Sequence, residues 1–152
     1  MDNAMKNNKG FTVIELMAVV AIVSILAVVA LAAYSDYAVR SKVAEAMGFA
    51  AEAKTKVSEY YYNNQEMPRN NLQAGLPAPD EYDRFDYLSR LELSTSDPLG
   101  TITITFKLPG TKADKKLLQL VPSTTDGIVY WRCSPPAEDG IDVNQVPPNC
   151  RG

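Results

Sequence analysis

Hydrophobic and polar positions alternate in three different ways along the chain, and each pattern predicts a different kind of element. From residue 16 to residue 33 every side chain is apolar or small, Ser24 being the only polar one, a run long enough to cross a bilayer as a helix. Beyond Ala33 the pattern becomes amphipathic with no Pro or turn cluster to stop it. Val43, Met47, Ala50, Val57 and Tyr61 recur at helical spacing, and Asp36 with Arg40 and Glu52 with Lys56 stand as acid-before-base pairs four apart. These features predict one helix from about Phe11 to about Tyr62, with an apolar half over 11–33 and an amphipathic half over 34–62. At 1.5 Å per residue it would be on the order of 78 Å long, so its second half is expected to pack on a soluble domain. Gly48 lies inside that half, where it marks a bend or a close contact. The Tyr60-Tyr61-Tyr62 triplet reads as the core-facing end of the helix.

Asn63, Asn64 and Pro68 end the helical pattern, and residues 63–86 read as a connecting loop. Asp80, Glu81, Asp83 and Asp86 crowd together there without the spacing of a calcium loop, which suits a solvated face. The period then falls to two. Residues 87–93 alternate Leu88, Arg90 and Glu92 against Tyr87, Ser89, Leu91 and Leu93, and residues 101–108 alternate Ile102, Ile104, Phe106 and Leu108 against Thr and Lys. Two more strands are expected over 117–121 and 128–132, joined by a turn at 123–127, with Pro109-Gly110 turning the chain between the second and third. The fold class is therefore α+β: a long N-terminal helix packed on a four-stranded antiparallel sheet over 87–132.

An acid, Glu15, stands at the mouth of the apolar run. A carboxylate against hydrocarbon costs about 2.5–3.5 kcal/mol even on lenient insertion scales, so a partner is expected for it. A cut after Gly10 would supply one, by leaving Phe11 as a terminal amine.

The run Lys9-Gly10-Phe11-Thr12-Val13-Ile14-Glu15-Leu16, continued through Met17-Ala18-Val19-Val20-Ala21-Ile22-Val23 and Ala33-Tyr34-Ser35-Asp36-Tyr37, resembles the cleavage and assembly motif of type IV prepilins and of the related pseudopilins of type II secretion. The alternative is an uncleaved signal anchor with Glu15 at the membrane surface. The resemblance implies a ladle-shaped pilin fold. It also implies a leader over 1–10 removed by a membrane prepilin peptidase, with cleavage after Gly10 and N-methylation of Phe11. Glu15 and Phe11 would then set the register between subunits of a helical homo-oligomeric filament, raised from the membrane by inner-membrane assembly machinery. Lys6 and Lys9 would hold the leader in the cytoplasm and send everything after Ala33 into the periplasm. Where relatives in this family usually carry glycine and proline inside the membrane helix, this chain has Ser24 and Ala32. That favours a continuous helix.

Cys133 and Cys150 are the only cysteines, and in an exported domain an even count reads as one disulfide, two free thiols being the alternative. Pro135, Pro136, Pro147 and Pro148 argue against regular structure over 133–150, and the segment resembles the C-terminal disulfide loop of type IV pilins. It serves either subunit contacts and adhesion or simply as a staple for the chain end. A cysteine loop of this kind separates pilins from the main secretion pseudopilins, which generally carry a calcium-binding loop instead.

Composition narrows the chemistry further. The chain has no histidine, a formal net charge of -3, and no Gly-rich phosphate loop, metal-ligand spacing or nucleophile motif. No catalytic residue, metal or cofactor is expected. Lys112, Lys115 and Lys116 form a small basic cluster with no adjacent aromatic, a weak signature for nucleic acid that reads first as a solvated loop. Three roles remain: the repeating subunit of a type IV pilus used for adhesion, twitching motility or DNA uptake, a secretion pseudopilin, or a minor or DNA-binding tip subunit.

Overall fold

A computed structural model describes residues 10–151 of the chain; the rest of the expected leader, with Lys6 and Lys9, lies outside the described residues. The chain divides into an N-terminal unit ending at Ser35 and a C-terminal unit beginning at Asp36. One helix, α1 (Val13–Asn64), supplies the first unit and opens the second. It runs without interruption through Ala32, as alanine favours, and Ser24 Oγ donates to the Val20 carbonyl at 2.7 Å. All side chains over 11–31 are exposed.

In the C-terminal unit, Val39, Val43, Ala46, Ala50, Ala53 and Val57 form a buried stripe with alternating steps of four and three residues. The three alanines in its middle let the helix backbone approach the sheet closely. Met47 is only half-buried, and neither Tyr60 nor Tyr61 is buried while Tyr62 is 51% exposed, so the triplet does not face the core. Gly48 is exposed and a Cβ there would meet nothing, so it marks no close contact within the chain. The expected charge pairs are also replaced. Arg40 donates to the Asn144 carbonyl at 2.8 Å, and Lys56 lies 3.7 Å from Glu59.

The sheet is an antiparallel meander in the order β1-β2-β3-β4, made of β1 (Leu88–Leu93), β2 (Ile102–Phe106), β3 (Leu117–Thr125) and β4 (Ile128–Ser134). Leu88, Leu91, Leu93, Ile102, Ile104, Phe106, Leu118 and Leu120 meet the helix stripe in one core. A strict alternation would place Leu88 opposite Leu91 and Leu93. A bulge between Leu88 and Arg90 adds one residue to β1 and returns Leu88 to the core face. The second hairpin also differs from expectation: β3 runs on to Thr125, because Asp126 (φ 52°) and Gly127 (φ 77°) form a complete two-residue turn on their own.

Residues 65–87 are more ordered than a plain connecting loop. Pro79–Arg84 forms a 3-10 helix, too short to leave a period in the sequence, and its Tyr82 is buried beside the Phe49–Phe85 ring pair. The acids around it are engaged: Asp80 pairs with Arg90, Asp83 with Lys107 at 3.1 Å, and Glu81 accepts from the Ala78 N–H. Burial first, and the Glu52 carboxylate second, push the Tyr82 phenol up to about 12, with Arg84 opposing. A phenol whose pKa is raised by folding contributes stability below its unfolded value of about 10 and loses it as pH rises towards the folded value. The chain is therefore expected to weaken between pH about 10 and about 12. Tyr82→Phe, which cannot ionise, should weaken less over that interval, as read from urea midpoints of both proteins.

Asn71 ties this segment to the sheet. Its Nδ2 donates to the carbonyls of Pro77 and Leu91, both at 2.8 Å, and its Oδ1 accepts from the Leu93 N–H at 2.9 Å. Leu91 and Leu93 turn these groups away from β2, so the amide fills part of the outer side of β1. Asn71→Ala strands these backbone groups without partners, at about 1–3 kcal/mol for each buried group. An unfolding free energy from urea denaturation lowered by about 2–6 kcal/mol is expected for the two buried groups; an unchanged value would show that water replaces the amide.

Candidate assembly site and terminal loop

Two places concentrate the residues singled out in the sequence. The first is the start of α1. Gly10 is exposed, and a Cβ built on it would touch nothing; Phe11 follows, 84% exposed. Thr12 immediately precedes the first helical residue and Glu15 is the third residue of the helix. Thr12 donates to Glu15 Oε2 through both its N–H (2.9 Å) and its hydroxyl (2.8 Å), while the Glu15 N–H reaches back to Thr12 Oγ1 at 3.4 Å. This reciprocal capping box satisfies donors that a helix start otherwise leaves open. The carboxylate also lies where the helix dipole favours negative charge.

In the chain by itself, then, Glu15 is held by Thr12, and Phe11 is not among its hydrogen-bond partners. Thr12 was not singled out from sequence, although the signal was present: a threonine followed by glutamate three residues later, just before an apolar run, is the sequence mark of a helix start. A capped acid adjoining a fully exposed apolar helix can anchor the helix end and leave one carboxylate oxygen facing outward.

The second place is the C-terminal segment. The structure joins Cys133, in β4, to Cys150, at the end of the 3-10 helix Pro148–Cys150. Between β4 and Cys150 the regular structure is limited to that turn and one parallel bridge between Leu117 and Gly140, while Ile141, Val146 and Cys150 enter the domain core. Leu117 donates to the Asp139 carbonyl and accepts from Ile141, both at 2.9 Å, and Lys116 pairs with Asp139 at 3.1 Å. Gly140 is required by space: a Cβ there would run into the Pro136 carbonyl. Of the basic cluster, Lys116 is thus engaged, and Lys115 takes a positive φ in the turn before β3.

These two places coincide with two family matches. Residues 5–31 match the prokaryotic N-terminal methylation motif, and residues 39–151 match the pilin family of bacterial filaments. The chain belongs to the pilin family.

This pilin is 39% identical to a type IV major pilin protein, PilE1, of Neisseria gonorrhoeae, over 94% of its own length and 93% of the relative's. It is 39% identical to the fimbrial protein EcpC of Eikenella corrodens, covering 94% and 90% of the two chains. It is 34% identical to the type IV major alpha-pilin of Moraxella bovis, covering 85% and 86%. The methylation motif falls on the N-terminal unit with its capped acid, and the pilin match falls on the sheet domain with its disulfide loop. The long apolar helix and four-stranded antiparallel sheet are the α+β pilin architecture.

Proposed function

We propose that this pilin is the repeating structural subunit of a type IV pilus and not an enzyme, polymerising side by side through the apolar half of α1. The observation that carries this reading is the union of a methylation motif with a helix whose side chains are exposed throughout 13–31. Such a surface is stable only in lipid or against other copies of itself. The chain would wait in the inner membrane as a single-pass precursor, with its sheet domain in the periplasm, and then leave for the extracellular filament. A prepilin peptidase would cut after Gly10 and methylate the Phe11 amine, and inner-membrane machinery would raise the subunit. The disulfide loop and the names of the relatives as major pilins or fimbrial proteins support this role over that of a secretion pseudopilin. Adhesion, twitching motility and DNA uptake are the uses open to such a filament.

The test is to shear filaments from cells and identify their main band. The expected result is this subunit, beginning at a methylated Phe11 by N-terminal mass spectrometry. Filaments lacking it, or a mature chain that still begins at Met1, would end the proposal. Replacing Gly10 by a bulky residue should leave the precursor uncut, since a side chain is then forced into the cleavage site.

A further inference from the structure

The C-terminal unit begins at Asp36, three residues after the apolar run ends at Ala33. Residues 13–33 of α1 rise by about 31 Å, close to the roughly 30 Å of a bilayer's hydrocarbon core, and the headgroup layer beyond it is about 5–7 Å deep. Tyr37, 72% exposed, therefore falls in that layer. Arg40 comes about 10 Å after Ala33 along α1, and helical side chains lean towards the helix N-terminus, which returns its guanidinium towards the lipid phosphates. The C-terminal loop reaches the same place. Arg40 donates to the Asn144 carbonyl at 2.8 Å, and Arg151 Nε donates to the Val146 carbonyl at 3.4 Å. Just before these carbonyls the chain turns tightly: the Asp142 carbonyl accepts from the Gln145 N–H at 2.9 Å and Asp142 Oδ1 from the Asn144 N–H at 2.8 Å. Val143 sits inside that turn, 47% exposed.

A guanidinium has five N–H donors, and each arginine spends one on the loop. Among the described residues neither forms an ion pair. Asp36 and Asp142 balance the two cations, so this surface lacks the positive excess that binding a polyanion such as nucleic acid demands. An aromatic and an apolar side chain beside two guanidinium groups is instead the composition of a membrane-interface contact. Continuity decides the occupant. The apolar run that leads into this surface stands in lipid, so the bilayer is its neighbour for as long as the precursor stays there. We propose that this end of the C-terminal unit is a phospholipid-docking surface of the unassembled precursor. Tyr37 and Val143 enter the headgroup layer, and Arg40 and Arg151 bind lipid phosphates, which guanidinium groups match in a bidentate fashion. The proposal rests on the reading of the chain as a single-pass membrane precursor.

The full chain would be placed in nanodiscs of phosphatidylethanolamine and phosphatidylglycerol, one chain to a disc, with a nitroxide attached at Val143→Cys and the Cys133–Cys150 bond kept oxidised. Collisions with oxygen, which concentrates in lipid, are compared with those of a water-soluble nickel chelate. The oxygen-to-nickel ratio is expected to be at least about 2-fold higher there than for a label at Thr125→Cys, in the hairpin whose Val129 N–H bonds Tyr62 near the far end of α1. Arg40→Gln combined with Arg151→Gln should lower the ratio to the Thr125 value, whereas Arg40→Lys, which keeps a cation, should retain most of it. A ratio unmoved by loss of both arginines would overturn the phosphate contact. A third label, at Val23→Cys, separates this proposal from the reading beneath it. Lipid exposure at Val23 with full water exposure at Val143 would overturn the docking surface alone, and water exposure at both would overturn the membrane-spanning reading itself. A high ratio at Val143 that appears only when several chains share a disc would place a second copy on this surface and also overturn the proposal.

Discussion

Glu15→Ala should leave membrane insertion intact and abolish, or reduce severely, the yield of filaments. Insertion is preserved because the substitution removes a charge costing about 2.5–3.5 kcal/mol in the apolar segment. Assembly fails for a different reason. Apolar helices packed side by side have little preference for one axial offset over another, and lipid contacts do not supply one. A carboxylate of one subunit paired with the Phe11 amine of its neighbour relieves two costly charges at a single offset only. The structure adds Thr12 to this scheme. In the separate chain it satisfies Oε2 of Glu15 and so holds the acid at the helix start. Two further variants separate capping from pairing. Thr12→Val removes the side-chain cap, worth about 1 kcal/mol, but keeps the charge, and should lower filament yield only partly. Glu15→Asp keeps the charge on a shorter arm and should be partly active. Each variant would be expressed in a strain lacking the native gene, comparing membrane pilin by immunoblot with sheared filaments by electron microscopy. Normal yield from Glu15→Ala would end the register idea.

Opening the Cys133–Cys150 bond should produce the largest loss of stability in the sheet domain. The cysteines are 17 residues apart, and closing a loop of that size limits the unfolded chain by about 3 kcal/mol, within the 2–5 kcal/mol that small secreted domains typically lose on removal. The loop is not a passive tether. Ile141 and Val146 are buried in the core, so a loosened loop withdraws apolar area as well as gaining freedom. Reduced and alkylated protein, and the double variant Cys133→Ser with Cys150→Ser, should both unfold at clearly lower urea concentration than the oxidised chain. Matching midpoints would mean that core contacts alone hold the loop.

How much of this was legible in advance depended on whether each element leaves a regular mark in the sequence. The apolar half of α1 does so without ambiguity, since 16–33 is apolar at nearly every position. The meander was legible because Ile102, Ile104 and Phe106 alternate cleanly and Asp126-Gly127 is a strong turn pair. Ala46 and Ala53 were overlooked, because alanine is as common on helix surfaces as in cores and only the sheet above them makes them buried. The bulge in β1 breaks the period-two rule from which Leu88 would be placed. The 3-10 helix of Pro79–Arg84 has one apolar anchor, Tyr82, and a single anchor has no period. Glu15 drew notice as a charge next to hydrocarbon, which directed the reading towards a distant partner and away from the neighbouring Thr12. The bond from the Trp131 indole N–H to Ser58 Oγ joins residues 73 positions apart, a proximity that only folding creates.

The Asn71 amide has a bearing on what kind of polymer this chain can form. Subunits of a filament are held at very high local concentration, a condition in which an open strand edge invites neighbouring chains to add on as further strands and grow into cross-β fibres. With the side chain occupying the Leu91 carbonyl and Leu93 N–H, an incoming strand finds those positions of β1 already taken. Strand addition is thereby blocked at these positions of β1, while the exposed apolar helix offers a separate surface through which copies can associate.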